Sequence, residues 1–365
     1  MKVKIIPFFA LALFLQLRGN AQQKIENIIV VTTDGLRWQE LFNGMDTVLA
    51  NDPQFNQGQK DYIYTTYWHA DAGERRKKLF PFIWGSFVPN GQLYGNRAYN
   101  NFVNTANPYW FSYPGYNEMF TGFVDTAINT NRYPDNPNLN IFEFLNNQPG
   151  YKNKVAAFGS WEAYDRILRK RTAGYPVIAA FDTVDWKDAT HAERLINKMK
   201  QDSYKPQGDE GCMDVFTHYQ AMEYLTIRQP KVLYIAYLET DEWAHSRMYK
   251  NYLDAAHHVD AWLQQLWKYV QSTPAYRNKT ALLITTDHGR GDIDKSKWTS
   301  HGSKIKGADE IWFGVMAPGI PVKGEVKTSM QLYQRQVAQT IASLLGKTFT
   351  ASHPVAPAIQ QIKEK

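Results

Sequence analysis

The chain is predicted to be an α/β protein, a three-layer α/β/α sandwich around a largely parallel central sheet. Three observations carry that prediction. Five short apolar runs, each bounded by polar or turn residues, recur along the 365 residues. Helical patterns lie between them, and three of the runs end in an aspartate. Runs that are apolar on both faces suit strands covered by helices on either side, and strand–helix alternation favours parallel pairing.

The five runs are "NIIVVTTD" (27–34), "KVAAFGSW" (154–161), "KVLYIAYLETD" (231–241), "ALLITTD" (281–287) and "EIWFGVMAPG" (310–319). Residues 253–269 set Leu253, Ala256, Trp262, Leu266 and Tyr269 at helical spacing, and residues 329–345 read as an amphipathic helix stopped by Gly346. Residues 46–110 have no clear period. They are rich in Asn, Tyr, Trp and Gly around one basic cluster, "ERRKKLF" (74–80), and read as a cap-like insertion packing beside the sheet. With no repeats and no persuasive linker, residues 22–365 are expected to form one domain.

At the N-terminus, Lys2 and Lys4 precede an apolar run from Ile5 to Leu17 and then Gly19-Asn20-Ala21. This is the pattern of a signal peptide spanning residues 1–21, too short for a membrane-spanning helix, and predicts a periplasmic or secreted protein with no span after cleavage. Cleavage removes three bases and no acid, so the net charge falls from +6 to +3. With no basic run further along, nothing points to nucleic acid. Cys212 is the only cysteine, which excludes an internal disulfide and a thiolate metal cluster.

Ligands of parallel α/β sheets gather at the carboxyl ends of strands. Asp34, Asp241 and Asp287 are placed there. Each alone would be an ordinary turn or cap residue. Histidines change the balance: His245 lies one helical turn after Asp241, His288 adjoins Asp287, and His301 sits in the loop "WTSHGS". The other six histidines, including the mid-helix pair His257 and His258, lack such context. Three acids converging with three imidazoles need cations, because like-charged buried carboxylates resist joint ionisation. A mixed imidazole–carboxylate set without thiolate suits two divalent metals, zinc first and manganese as the alternative. Such a pair stabilises attacking and leaving oxygens in a displacement at phosphorus. Ser112, opening a helix-like run in "YWFSYPGYNEMFTGF" (109–123), is the nucleophile candidate.

Asp34, Ser112, the Asp241–His245 pair, Asp287-His288 and His301 resemble, in order and spacing, the metal and nucleophile set of the alkaline phosphatase superfamily. "SYPGYNEMFTG" is most similar to the nucleotide pyrophosphatase/phosphodiesterase branch, and "DHG…HG…ADEIW" to metalloenzymes related to phosphoglycerate mutase. The likeness covers about residues 27 to 346 and implies an alkaline phosphatase-like fold. It implies that Asp34, Ser112, Asp287 and His288 hold one metal, and Asp241, His245 and His301 the other. It also implies a hydrolase of phosphate esters acting through a phosphoseryl intermediate on Ser112. Serine where that branch carries threonine is a departure. Asn129 or Asn131 in "AINTNRYP" would hold a phosphoryl oxygen, in a region that matches the branch poorly.

The related sulfatases need an arginine four positions after the modified residue. Tyr116 stands there, which disfavours a formylglycine enzyme. A true phosphoglycerate mutase is disfavoured by the short stretch between Ser112 and Asp241. A sulfate or phosphonate ester hydrolase using unmodified Ser112, or a metal-dependent binding protein without turnover, are the alternatives. Arg37, Arg290 and Lys304 are candidate cations for a small-molecule phosphate monoester, a solvated surface position being the plainer role for each. The sequence leaves the oligomeric state, the leaving group and the choice between mono- and diesters open.

Overall fold

The structure, a computed structural model, describes residues 24–364. The expected signal peptide therefore lies outside the described residues. Among those residues no helix is long and apolar enough to cross a membrane.

The protein has the expected mixed α/β fold, a large central sheet with helices packed against it. Eleven strands are present among the described residues: β1 (Asn27–Thr33), β2 (Gln92–Tyr94), β3 (Asn101–Asn104), β4 (Val155–Gly159), β5 (Val177–Ala179), β6 (Val232–Tyr237), β7 (Thr280–Thr285), β8 (Glu310–Ile311), β9 (Phe313–Met316), β10 (Gly324–Glu325) and β11 (Met330–Tyr333). Eight form the central sheet in the order β10-β2-β9-β7-β1-β6-β4-β5, and β11-β3-β8 form a small second sheet. The core is parallel: β1 pairs with β6 (Ile28 opposite Val232) and with β7 (Ile28 opposite Ala281), and β4 pairs with β6 and β5. β9 runs antiparallel to β7 and β2.

β1, β4, β6 and β7 are buried along their whole length. Side chains alternate across a strand, so one apolar run serves two cores. Ile28 and Val30 join the cluster beneath the helices Ser112–Thr121 and Val337–Leu344, whereas Ile29 and Val31 join the cluster beneath Tyr249–Ser272. The expected helix at 253–269 is the middle of this last, 24-residue helix.

Three expectations need correction. Residues 310–319 are not one strand: Trp312 is fully buried, donates its indole N–H to the Leu36 carbonyl at 2.9 Å, and separates β8 in the small sheet from β9 in the large one. The helix expected from 329 begins at Val337, because Met330–Tyr333 pair in parallel with β3. Residues 46–110 do not simply flank the sheet. Short helices such as Lys60–Tyr67 and Ala72–Leu79 pack beside it, but β2 enters the central sheet itself.

Candidate metal and nucleophile site

Register places the site. β1, β6 and β7 are parallel and paired, so their carboxyl ends lie side by side and deliver Asp34, the helix Glu239–His245, and Asp287-His288 to one edge. The helix Ser112–Thr121 closes over that edge. The loop entering it is pinned by its own side chains. Buried Glu118 accepts from the backbone N–H of Ala106 (2.8 Å) and Asn107 (2.7 Å), and the Asn107 Oδ1 accepts from the N–H of Tyr109 and Trp110 at 3.0 Å. Trp110 adopts φ 55°, a left-handed conformation costly for a bulky residue, and it turns the chain into the helix. Gly115 packs so tightly that a Cβ there would lie 2.6 Å from the Asp287 carbonyl oxygen. The helix ends at Gly122 with φ 69°.

All seven expected residues come together at this edge. The Ser112 Oγ lies 3.4 Å from His288 Nε2, and that nitrogen is 3.3 Å from Asp34 Oδ1, 3.5 Å from Asp287 Oδ2 and 3.8 Å from Asp241 Oδ1. His245 Nε2 is 3.1 Å from Asp241 Oδ2 and 3.0 Å from His301 Nε2, and the rings of His288 and His301 stack at 3.9 Å. Two groups present one ligand atom each within 4.8 Å of one another: Asp34, Asp287 and His288, and Asp241, His288 and His301. His288 thus faces both groups, and His245 borders the second.

These residues fit divalent metals on three observations. Asp34 Oδ1, Asp287 Oδ2 and His301 Nδ1 are buried without a hydrogen-bond partner, an arrangement that costs on the order of 1–3 kcal/mol for each group unless a cation completes it. Burial, then Asp287 and Asp241, pushes the Asp34 carboxyl well up, and burial pushes up Asp287. Against burial, the charges of Asp287 and Asp34 raise His288 to about 9. A proton on His288 is therefore what a cation-free pocket uses to offset its acids. Finally, the Nδ1 of His288 lies 2.9 Å from the Gly289 carbonyl, which fixes Nδ1–H as donor and leaves Nε2 to face the acids.

Asp241 behaves oppositely. Burial alone would raise it, but His245, Arg290 and His301 hold it well below the usual range, while burial and the His288 charge hold His301 well below its own. Arg290 corrects the surface expectation: its guanidinium is fully buried, bonded to Asp241, to the Trp298 carbonyl at 2.7 Å and to the Thr299 carbonyl at 2.8 Å. Arg37 is buried too, paired with Glu40 and reaching the Gly291 carbonyl at 3.1 Å. Neither faces the cavity, and Lys304 is exposed outside it.

A cavity of about 470 Å³ opens above Ser112. Its cations are Arg132 and Arg166, which sequence reasoning missed. Arg166 forms a bidentate pair with Glu162 and donates to the Asn131 carbonyl at 3.2 Å. Asn131 lines the cavity, and its Oδ1 accepts from the Tyr113 N–H at 2.9 Å. Asn129 is exposed and lies outside the cavity lining. Below the site, the buried phenol of Tyr116 donates to Asp34 Oδ2 at 3.1 Å. Burial, with Asp287 and Asp34, raises that phenol well above its usual value and keeps it protonated.

No family model and no curated protein matches the chain. Solved structures do match. Wild-type alkaline phosphatase PafA superposes with a TM-score of 0.61 at 10% identity, covering 94% of this chain and 100% of that one. BT1596, a 2-O GAG sulfatase, gives 0.58 at 13% identity, over 93% of this chain and 74% of that one. The phosphonate monoester hydrolase of Agrobacterium radiobacter gives 0.57 at 11% identity, over 93% and 77%. These neighbours are all members of the alkaline phosphatase superfamily, whose fold this chain has; no one branch is singled out, since phosphatase, sulfatase and phosphonate hydrolase match alike.

Proposed function

We propose that the chain is an exported hydrolase of phosphate esters that uses two divalent metals, most simply zinc, and forms a phosphoseryl intermediate on Ser112. The observation that carries this reading is the Ser112 Oγ at a helix N-terminus, 3.4 Å from an imidazole that itself faces three aspartates. Bound dications would lower the pKa of the serine hydroxyl and neutralise charge gathering on the phosphoryl oxygens. Asp34, Ser112, Asp287 and His288 would hold one of them, and Asp241, His245 and His301 the other.

The chain's own groups do the rest. The buried positions of Asp34 and Asp287 exclude bulk water beneath the nucleophile, which strengthens every charge interaction there. The Ser112 oxygen attacks phosphorus, the Oγ–P bond forms and the bond to the leaving alcohol breaks, the alcohol leaving with a proton. Water then cleaves the Oγ–P bond and restores the hydroxyl. The free amide nitrogen of Asn131 and the guanidinium of Arg132 are the cavity groups suited to orient phosphoryl oxygens.

The test is a panel of p-nitrophenyl phosphate, bis-p-nitrophenyl phosphate, p-nitrophenyl sulfate and a phosphonate ester on metal-replete protein. A phosphate ester should be hydrolysed fastest, and acid quenching should trap a phosphoryl group on Ser112. Preference for the sulfate ester would replace this reading with the sulfatase one. Hydrolysis of none, with ligands bound equally by Ser112→Ala, would replace it with a binding protein.

A further inference from the structure

Tyr116 lies four residues after Ser112, so the two side chains leave the same face of one helix. The serine meets the cavity. The tyrosine, one turn deeper in the protein, is fully buried and ends on Asp34 Oδ2 at 3.1 Å. The other oxygen, Asp34 Oδ1, has no partner and lies 3.3 Å from His288 Nε2. The two oxygens of one carboxylate are thereby assigned different tasks. Around Tyr116 the rings of Tyr164 (edge-on, 5.1 Å) and Phe120 (stacked, 6.1 Å) allow the phenol little freedom. Gly115, pressed against the Asp287 backbone, fixes the helix itself.

We propose that Tyr116 is a positioning residue that presents Asp34 Oδ1 to the metal, and so ties the serine-bearing helix and that metal site into one unit. This rests on the reading of Asp34 as a ligand. Donors behind a ligand carboxylate fix its orientation, and removing them typically weakens metal binding about 10–100-fold. The residue that departs from the sulfatase modification signal therefore has a task of its own here. Its hydroxyl, rather than its ring, carries that task.

Tyr116→Phe keeps the ring and deletes the hydroxyl. Tyr234→Phe is the control: it deletes another fully buried phenol of the same aromatic cluster, one that bonds Thr32 Oγ1 at 2.8 Å and touches no proposed ligand. Zinc affinity would be measured by chelator competition on wild type and both variants, with thermal unfolding of the metal-free proteins alongside. The expected result is a loss of about 10–100-fold at one of two sites in Tyr116→Phe, no change in Tyr234→Phe, and hydrolysis by Tyr116→Phe restored at excess zinc. Equal affinities in all three proteins, or equal losses in both variants, would overturn the proposal while leaving the two-metal reading intact. Failure of the wild type to bind any divalent cation would overturn both.

Discussion

Metal-free protein should lose stability as pH rises, and His288 gives the direction. In the metal-free pocket His288 titrates at about 9 instead of its ordinary 6.5. A group whose folded pKa is raised contributes stability that is complete below the unfolded value and lost as pH climbs through the folded one. At about 1.4 kcal/mol per pKa unit, the His288 displacement corresponds to roughly 3 kcal/mol lost between about pH 6.5 and pH 9. The raised carboxyls of Asp34 and Asp287 act in the same direction, since each resists ionising in the folded state. Asp241, held low, acts only at the acid end, where its contribution is lost as pH falls. Metal ligation requires deprotonated ligands, so bound cations should reverse the trend and stabilise more strongly as pH rises. Urea denaturation of chelator-treated and zinc-loaded protein at several pH values would show this. A metal-free curve that is flat or rises from pH 6.5 to 9, or two coincident curves, would refute the reasoning.

Ser112→Ala should lower hydrolysis of the best phosphate ester on the order of 10³-fold or more, checked by steady-state rates. Gly115→Ala forces a Cβ to 2.6 Å from the Asp287 carbonyl oxygen; it should cost roughly 1–3 kcal/mol by urea denaturation and weaken metal binding as well. Asn131→Ala removes the acceptor for the Tyr113 N–H and should cost about 1 kcal/mol and reduce kcat/KM. Asn129→Ala, an exposed position outside the cavity, should change stability by less than about 0.5 kcal/mol and leave rates unaltered.

The central parallel strands, and the gathering of the seven candidate side chains at their carboxyl ends, were legible because both follow from simple rules. A strand buried on two faces must be apolar throughout, and Asp34, Asp241 and Asp287 each interrupt such a run where a parallel sheet opens to ligands. What was not legible depended on partners distant in sequence. Nothing in "EIWFG" marks Trp312 as the point where the chain passes between sheets; its indole bonds the carbonyl of Leu36, a partner that only the folded chain brings near. Met330 to Tyr333 continue a helical apolar spacing, yet β3 offers them a ladder, and tertiary pairing overrides local preference. Residues 46–110 showed no period because their helices run about one to two turns and their strands three or four residues. Arg132 comes from a turn and Arg166 from the four-residue helix Tyr164–Ile167, both too short to show a pattern, and Arg290 looked like a surface base beside the candidate ligands although its charge faces Asp241. Tyr116 was visible only as a mismatch to a modification signal. Its hydrogen bond to Asp34 spans 82 residues.

If the seven side chains form a cradle for paired dications, bound metal counted per chain after equilibrium dialysis against zinc will show it, for the wild type and for Asp241→Ala/His245→Ala. Two ions are expected in the wild type and one in the double variant, the remaining ion being held by Asp34, Ser112, Asp287 and His288. A wild type that retains none, or a double variant that retains as many as the wild type, would contradict it.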